Sequence, residues 1–399
     1  MNKKKQADHQ VPDYKIIDSC EHLADFAETI NREKVIAVDM EADSMFHFKE
    51  KVCLIQIASK KTNVLIDPLK IKDMSHIAPV FANPGIKKIF HGADYDIRSL
   101  HRDFGIEVKN LMDTQLICRF LGCRETGLEA VLQKLLNITL DKKYQRKDWS
   151  QRPLPDEMLE YAAKDAIYLI PLAKMLEKEL KARHRLSWVR EECSALSKVR
   201  AASNEDEPLF LKFKGAGRLS PRNLAVLESL LKVRRTIAEK KDRPPFKIFS
   251  NSAISSIINV KPLTLKQLRA DNILSLRQFN MFGAEVVKAV KDGLKTPENH
   301  LPVYPRRKAP VMPPKVPERM KRLKVWRDNM ADDLVMDPAL ICNKALMTSI
   351  AIKNPLTIKA LKDVEDIKKW QVEAFGKDII NVLKNTKDTG DFNGKQGYI

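Results

Sequence analysis

Apolar positions along the first half of the chain recur in two rhythms. VIAVD (35–39) is a short β-branched run, suited to a strand buried on both faces. VCLIQIAS (52–59) and NVLID (63–67) follow with only KKT between them, which predicts an antiparallel hairpin. The pattern then alternates. Helices are predicted at 74–82, 95–104, 127–136 and 156–183, and strands at KKIFH (87–91) and NLMDT (110–114). A meander leading into βαβ units predicts an α/β domain, a mixed sheet with helices packed on its faces.

Past the acidic, proline-ended SNEDEP (203–208), strand signals fade and helical periodicity takes over. A second break, at 297–317, holds a third of the chain's 21 prolines together with Arg306, Arg307 and Lys308. Proline at that density predicts an extended, semi-rigid basic linker. The segments on either side of it are copies. LKVRR (231–235) answers to LKVWR (323–327), KPLTLKQL (261–268) to NPLTIKAL (354–361), and Phe282–Gly283 to Phe375–Gly376, at offsets of 92, 93 and 93. The expected organisation is a catalytic domain at 1–202, a helical module at 203–296, the linker at 297–317, a second module at 318–388 and a fraying, glycine-rich tail at 389–399.

Composition narrows the class. Hydrophobic residues are 44% and charged residues 31% of the 399, the balance of a folded, water-soluble chain. No apolar run approaches the ~18–20 residues of a membrane span. MNKKKQADHQ leads into VPDYKIID without the apolar stretch of a secretory signal. Six scattered cysteines predict reduced thiols in a cytoplasmic protein with no disulfide-linked partner; a monomer is expected. The net charge of +19 is uneven: 34 basic against 30 acidic residues in 1–200, but 37 against 22 in 201–399. A basic half joined to a near-neutral half predicts a polyanion-binding appendage on a catalytic body.

Three small features carry candidate chemistry. Asp39 and Glu41, two apart on a strand, project from one face. Their carboxylates repel unless a cation sits between them. Tyr161 and Asp165, spaced i and i+4 in EYAAKDAIYL, share a helix face. Asp96 stands near a helix start in HGADYDIRSL. Each alone has an ordinary explanation: a polar strand end, a core tyrosine beside a surface charge, an aspartate meeting free helix N–H groups.

In chain order, DxE, then Asp, then YxxxD resembles the DEDDy branch of 3′→5′ exonucleases. CLIQIA (53–58), FHGADYDIRSL (90–100), LMDTQLICRFLG (111–122), QRKDWSQRPL (145–154) and EYAAKDAIYL (160–169) resemble the ribonuclease D family, as does a nuclease domain followed by two helicase-and-RNase-D C-terminal (HRDC) modules. The resemblance implies a ribonuclease H-like mixed sheet with flanking helices, followed by two small all-α HRDC-like domains. It implies two divalent metal ions, Mg²⁺ or Mn²⁺, held by Asp39, Glu41, Asp96 and Asp165, with Asp39 bridging and Tyr161 orienting the attacking water. The implied partner is RNA with a free 3′ end, tRNA precursors among them, trimmed to 5′-mononucleotides. A DNA exonuclease and a catalytically silent nucleic-acid-binding protein are the alternatives.

Around that set, Gln56 and Asp67 read as structural, and Asp43 and Asp94 are left outside it. Met45, Phe46 and Phe48 either wedge against the terminal base or pack in the core. His91 either touches substrate or is a satisfied core histidine. Gln145, Trp149 and Arg152 sit in a basic loop that could line the substrate groove. With every ligand in the first half, residues up to about 200 are expected to hydrolyse short strands alone, while the basic half grips longer RNA.

Overall fold

In the computed structural model, which describes residues 13–201, 207–305 and 313–384, the alternating first half forms one six-stranded sheet. Its strands are β1 (Lys15–Ile17), β2 (Val35–Ala42), β3 (Val52–Ala58), β4 (Asn63–Ile66), β5 (Lys87–Phe90) and β6 (Leu111–Asp113), in the order β1-β4-β3-β2-β5-β6. β3 runs antiparallel to both neighbours; every other pairing is parallel. All seven residues of β3 are buried, as a strand covered on both faces requires. The expected mixed α/β sheet and the β3–β4 hairpin are therefore present. β1, three residues long, offers too short a pattern to read.

Two helix expectations change. The segment 156–183 is two helices, Asp156–Ile167 and Leu169–Ala182, broken at Tyr168. Pro171 explains the break: its ring would strike the carbonyl four residues back, that of Ile167. The segment 74–82 is a 3-10 turn (Ser75–Ile77) running into a five-residue helix (Ala78–Ala82).

Each later repeat is five helices. Pro221–Lys240, Pro245–Ile248, Asn251–Val260, Leu265–Ala270 and Leu276–Lys295 are answered by Val316–Leu334, Pro338–Ile341, Lys344–Lys353, Ile358–Lys362 and Lys369–Lys384. The turns also match. Lys261 and Asn354 take left-handed conformations (φ 50° and 46°), as do Asp242 and Val335 (φ 45° and 47°). Thr264 and Thr357 cap equivalent helices through their hydroxyls. Pro317, expected at the end of the linker, stands in the first turn of Val316–Leu334, where a missing N–H costs nothing. The whole of the tail, 389–399, and the middle of the linker, 306–312, lie outside the described residues.

The repeats do not dock alike. The second shares one continuous apolar core with the sheet domain. Trp370 stacks on Trp188 (centroids 4.8 Å apart), meets Phe120 edge-on at 5.5 Å, and donates its indole N–H to Glu192 at 2.9 Å. Arg119 pairs with Asp337 at 2.8 Å, and Arg185 donates to the carbonyls of Phe120 and Leu334. Gly122 makes the approach possible: a Cβ there would lie 2.3 Å from the Val335 carbonyl oxygen. The first repeat keeps a core of its own. A cut near residue 200, after which the first part is expected to hydrolyse short strands alone, would bare Trp188 and Phe120. Trp370→Ala should destabilise the sheet domain itself by about 3–5 kcal/mol, the usual cost of deleting a buried aromatic. Urea unfolding followed by amide exchange in β2 and β3 reads this directly; unchanged protection there would separate the two bodies energetically.

Candidate active site

β2 carries Asp39 and Glu41 to the end of the sheet on the face covered by helix Asp156–Ile167. That helix brings Asp165, and one ligand oxygen each from Asp39, Glu41 and Asp165 lies within 4.8 Å of the others. The helix packs through Met158, Leu159, Ala162 and Ala163 against Leu54 and Leu65, and this packing fixes where Asp165 points. Asp96, buried in the first turn of helix Asp94–Phe104, stands outside the three-oxygen group but close enough for Asp39 to raise its proton affinity.

The electrostatics are those of like charges held together. Burial pushes the Asp39 carboxyl up to about 6. Burial, then the neighbouring carboxylates, hold Glu41, Asp96 and Asp165 well above the ordinary range. Among the described residues, no lysine or arginine pairs with any of the four. An all-oxygen, anionic donor set without a protein counter-charge fits hard divalent cations. The Tyr161 phenol is also pushed up, first by burial and then by Asp165, Glu41 and Asp39. It is a protonated donor at neutral pH, suited to orienting water and not to serving as a free base.

The residues left out of the set have other employment. Asp94 is exposed and pairs with Arg98. Asp43 is fully buried, pairs with Lys51 at 2.8 Å and accepts the Lys51 N–H at 2.7 Å, which closes the loop between β2 and β3. Gln56 is paired in register with Asp39, and its amide is buried without a protein partner. Asp67 takes two hydrogen bonds from Arg152.

The candidate substrate contacts divide. His91 has both ring nitrogens engaged, with Thr114 Oγ1 at 2.9 Å and the Thr126 carbonyl at 2.8 Å, so it fits the core alternative. Trp149 is buried and packs against Tyr161 at 6.1 Å between centroids, supporting the site from behind. Arg152 is spent on Asp67 and on the carbonyls of Trp149, Gln151 and Cys53. Gln145 is exposed, and Met45 is 49% exposed. Phe46 lies under Lys247 of the first repeat, 4.4 Å from Nζ to the ring centroid, and Phe48 packs on that repeat's core. Sequence reasoning missed Asp113. Its carboxylate accepts the N–H groups of Gly92, Ala93, Gln115 and Leu116, fixing the turn that launches the Asp96 helix. The signal was present, an aspartate between a strand and Thr-Gln at a helix start.

The chain is similar to known proteins in domain content and fold. Residues 14–181 match the 3′–5′ exonuclease family, and 223–290 and 317–383 each match the HRDC domain. Ribonuclease D of Haemophilus influenzae is 28% identical over 294 residues, 73% of each chain. Protein RRP6-like 3 of Arabidopsis thaliana is 40% identical over 169 residues, 42% of this chain, which spans only 19% of that longer protein. The crystal structure of Escherichia coli RNase D, an exoribonuclease involved in structured RNA processing, superposes with a TM-score of 0.71 at 25% identity, covering 94% of this chain and all of that one.

A carboxyl whose folded-state pKa is raised to about 6 binds a proton more tightly folded than unfolded, so without metal its contribution to stability falls as pH rises from about 4 through 6. Asp39→Asn should therefore raise the melting temperature of metal-free protein at pH 7.5 and leave it little changed at pH 4.5. A variant that melts lower than wild type at pH 7.5 would contradict this account of the cluster.

Proposed function

We propose that this chain, in which a 3′–5′ exonuclease domain is followed by two HRDC domains and which is similar to ribonuclease D, hydrolyses RNA stepwise from the 3′ end to 5′-mononucleotides, with precursor tRNA 3′ ends among its substrates in the cytoplasm. The observation that carries this reading is the convergence of Asp39, Glu41 and Asp165 within 4.8 Å. Asp39, Glu41 and Asp165 would hold one divalent ion, and Asp39 with Asp96 a second. Bound there, the ions would offset charge building on the attacking and leaving oxygens of the phosphodiester.

The chain's own side chains do the rest. The buried carboxylates, repelling one another, reserve the cleft for cations. Tyr161, protonated and held by its interaction with Asp165, sets its hydroxyl where it orients the attacking water. Trp149 and Tyr144 pack against the Tyr161 ring and fix its angle. The basic excess of the second half supplies phosphate contacts that lengthen the hold on RNA.

The decisive experiment incubates full-length protein with end-labelled tRNA precursor and matched single-stranded DNA, with Mg²⁺, Mn²⁺ or chelator. Metal-dependent release of 5′-mononucleotides from RNA is expected; faster cleavage of the DNA would move the reading to a DNA exonuclease, and no cleavage would end it. Tyr161→Phe should lower turnover ~10²–10⁴-fold with little change in RNA affinity. Unchanged turnover would return Tyr161 to core packing. Asp39→Asn should abolish release while RNA is still bound, and turnover near wild type in that variant would sink the metal assignment.

A further inference from the structure

Helix Thr114–Phe120 ends in a left-handed turn, and the second HRDC domain is seated on that turn. The Gly122 N–H donates to the Arg119 carbonyl at 3.2 Å, and the Cys123 N–H reaches back to the Cys118 carbonyl at 2.9 Å, with Gly122 at φ 74° between them. This pair of bonds is the Schellman ending of a helix, in which the first and last residues meet side chain to side chain, most often as an apolar pair. Here both residues are cysteines, Cys118 and Cys123, and all six cysteines of the chain are free thiols.

The two sulfurs differ in access. Cys118 is fully buried in the core, whereas Cys123 is half-buried and lines a cavity of about 540 Å³ between the nuclease domain and the second HRDC domain, beside Arg124 and Val335. Burial first, and then the Cys123 thiol next to it, raise the proton affinity of Cys118 and keep it a neutral thiol. An oxidant entering by the cavity therefore meets Cys123 first. The 2.9 Å bond between the two backbones limits their Cα separation to ~6.8 Å, within the reach of a disulfide.

We propose that Cys118 and Cys123 are a site of oxidation by hydroperoxides, and that the disulfide they form locks the turn on which the second HRDC domain is seated. The Cys123 sulfur attacks one oxygen of hydrogen peroxide; the O–O bond breaks, water leaves and Cys123 becomes a sulfenic acid. The Cys118 sulfur then displaces the hydroxyl from that sulfur. Its own proton goes to the departing hydroxide, so a second water leaves as the S–S bond closes. The two thiols supply two electrons and the peroxide takes them. In a reducing compartment thiol exchange reverses the bridge. Gly122 lies inside the closed ring, and a Cβ there would already be 2.3 Å from the Val335 carbonyl oxygen. Tying the two ends of the turn together holds Gly122 in place and with it the joint. The inference concerns this joint and not the carboxylate cleft, so it stands apart from the exonuclease reading.

For the test, full-length protein is reduced, desalted, treated with hydrogen peroxide, blocked with iodoacetamide and digested with trypsin without reductant. Trypsin cuts after Arg119 and Arg124, so Cys118 and Cys123 leave in separate peptides unless they are bridged. The expected product is that pair of peptides joined, and separated again by dithiothreitol. Cys118→Ala should give no joined pair and a sulfenic acid on Cys123 that dimedone traps. Cys123→Ser, at a half-buried position where folding is little disturbed, should leave Cys118 a thiol. Oxidised wild type should melt ~2–5 °C above reduced wild type, with slower amide exchange at 119–123, and neither variant should show the gain. Exposed Cys20 reports that the oxidant has acted. Oxidised Cys20 without the joined pair would overturn the proposal, as would a pair that joins only in urea, or a bridge that lowers the melting temperature.

Discussion

Mutual repulsion among buried carboxylates is the constraint around which the nuclease domain is built. Asp39, Glu41 and Asp165 would separate if the backbone let them; burial first, and for Glu41 and Asp165 the neighbouring carboxylates as well, raises their proton affinities. The restraint is apolar: β2 lies in the middle of a sheet covered on both faces, and the helix bearing Asp165 is seated by Met158, Leu159, Ala162 and Ala163. Asp96 is fixed differently, by the Asp113 carboxylate gathering four backbone N–H groups at the start of its helix and the next. Core packing here holds together carboxylates whose charge a divalent cation would offset.

Local periodicity made part of this legible in the sequence. A strand puts Asp39 and Glu41 on one face, and a helix does the same for Tyr161 and Asp165; neither needs tertiary knowledge. The hairpin at KKT and the 93-residue repeat were equally plain. What could not be read lies between elements far apart in the chain. Nothing around Trp188 announces that it meets Trp370, nor around His47 that it meets Asp242. The helix break at Tyr168 is different, for Pro171 was in view and the rule that forbids it inside a helix is a local one. Composition misled in one respect: the uneven charge suggested an appendage, whereas the second repeat is built into the body through a shared core.

The two repeats use the same turn for different purposes. Asp242 and Val335 occupy equivalent left-handed positions. In the first copy the turn presents a carboxylate to the loop that follows Glu41. In the second the turn lies against Gly122, with the Leu334 carbonyl taken by Arg185. A β-branched residue at φ 47° is strained, so this contact is held against a local preference for extended backbone. Duplication thus supplied two copies of one protruding turn, and the side chain it carries distinguishes a polar brace from a packed joint.

The shared core also sets an order of events during synthesis. Trp370 lies near the carboxyl end of the described chain, whereas Trp188 and Phe120, which it covers, are made far earlier. At translation rates of ~5–20 residues per second, the nuclease domain waits roughly 10–35 s on the ribosome with that aromatic face uncovered. Among the described residues the last helix to emerge is therefore the one that seals the first domain, and a nascent chain that stalls in the second repeat carries an unsealed nuclease.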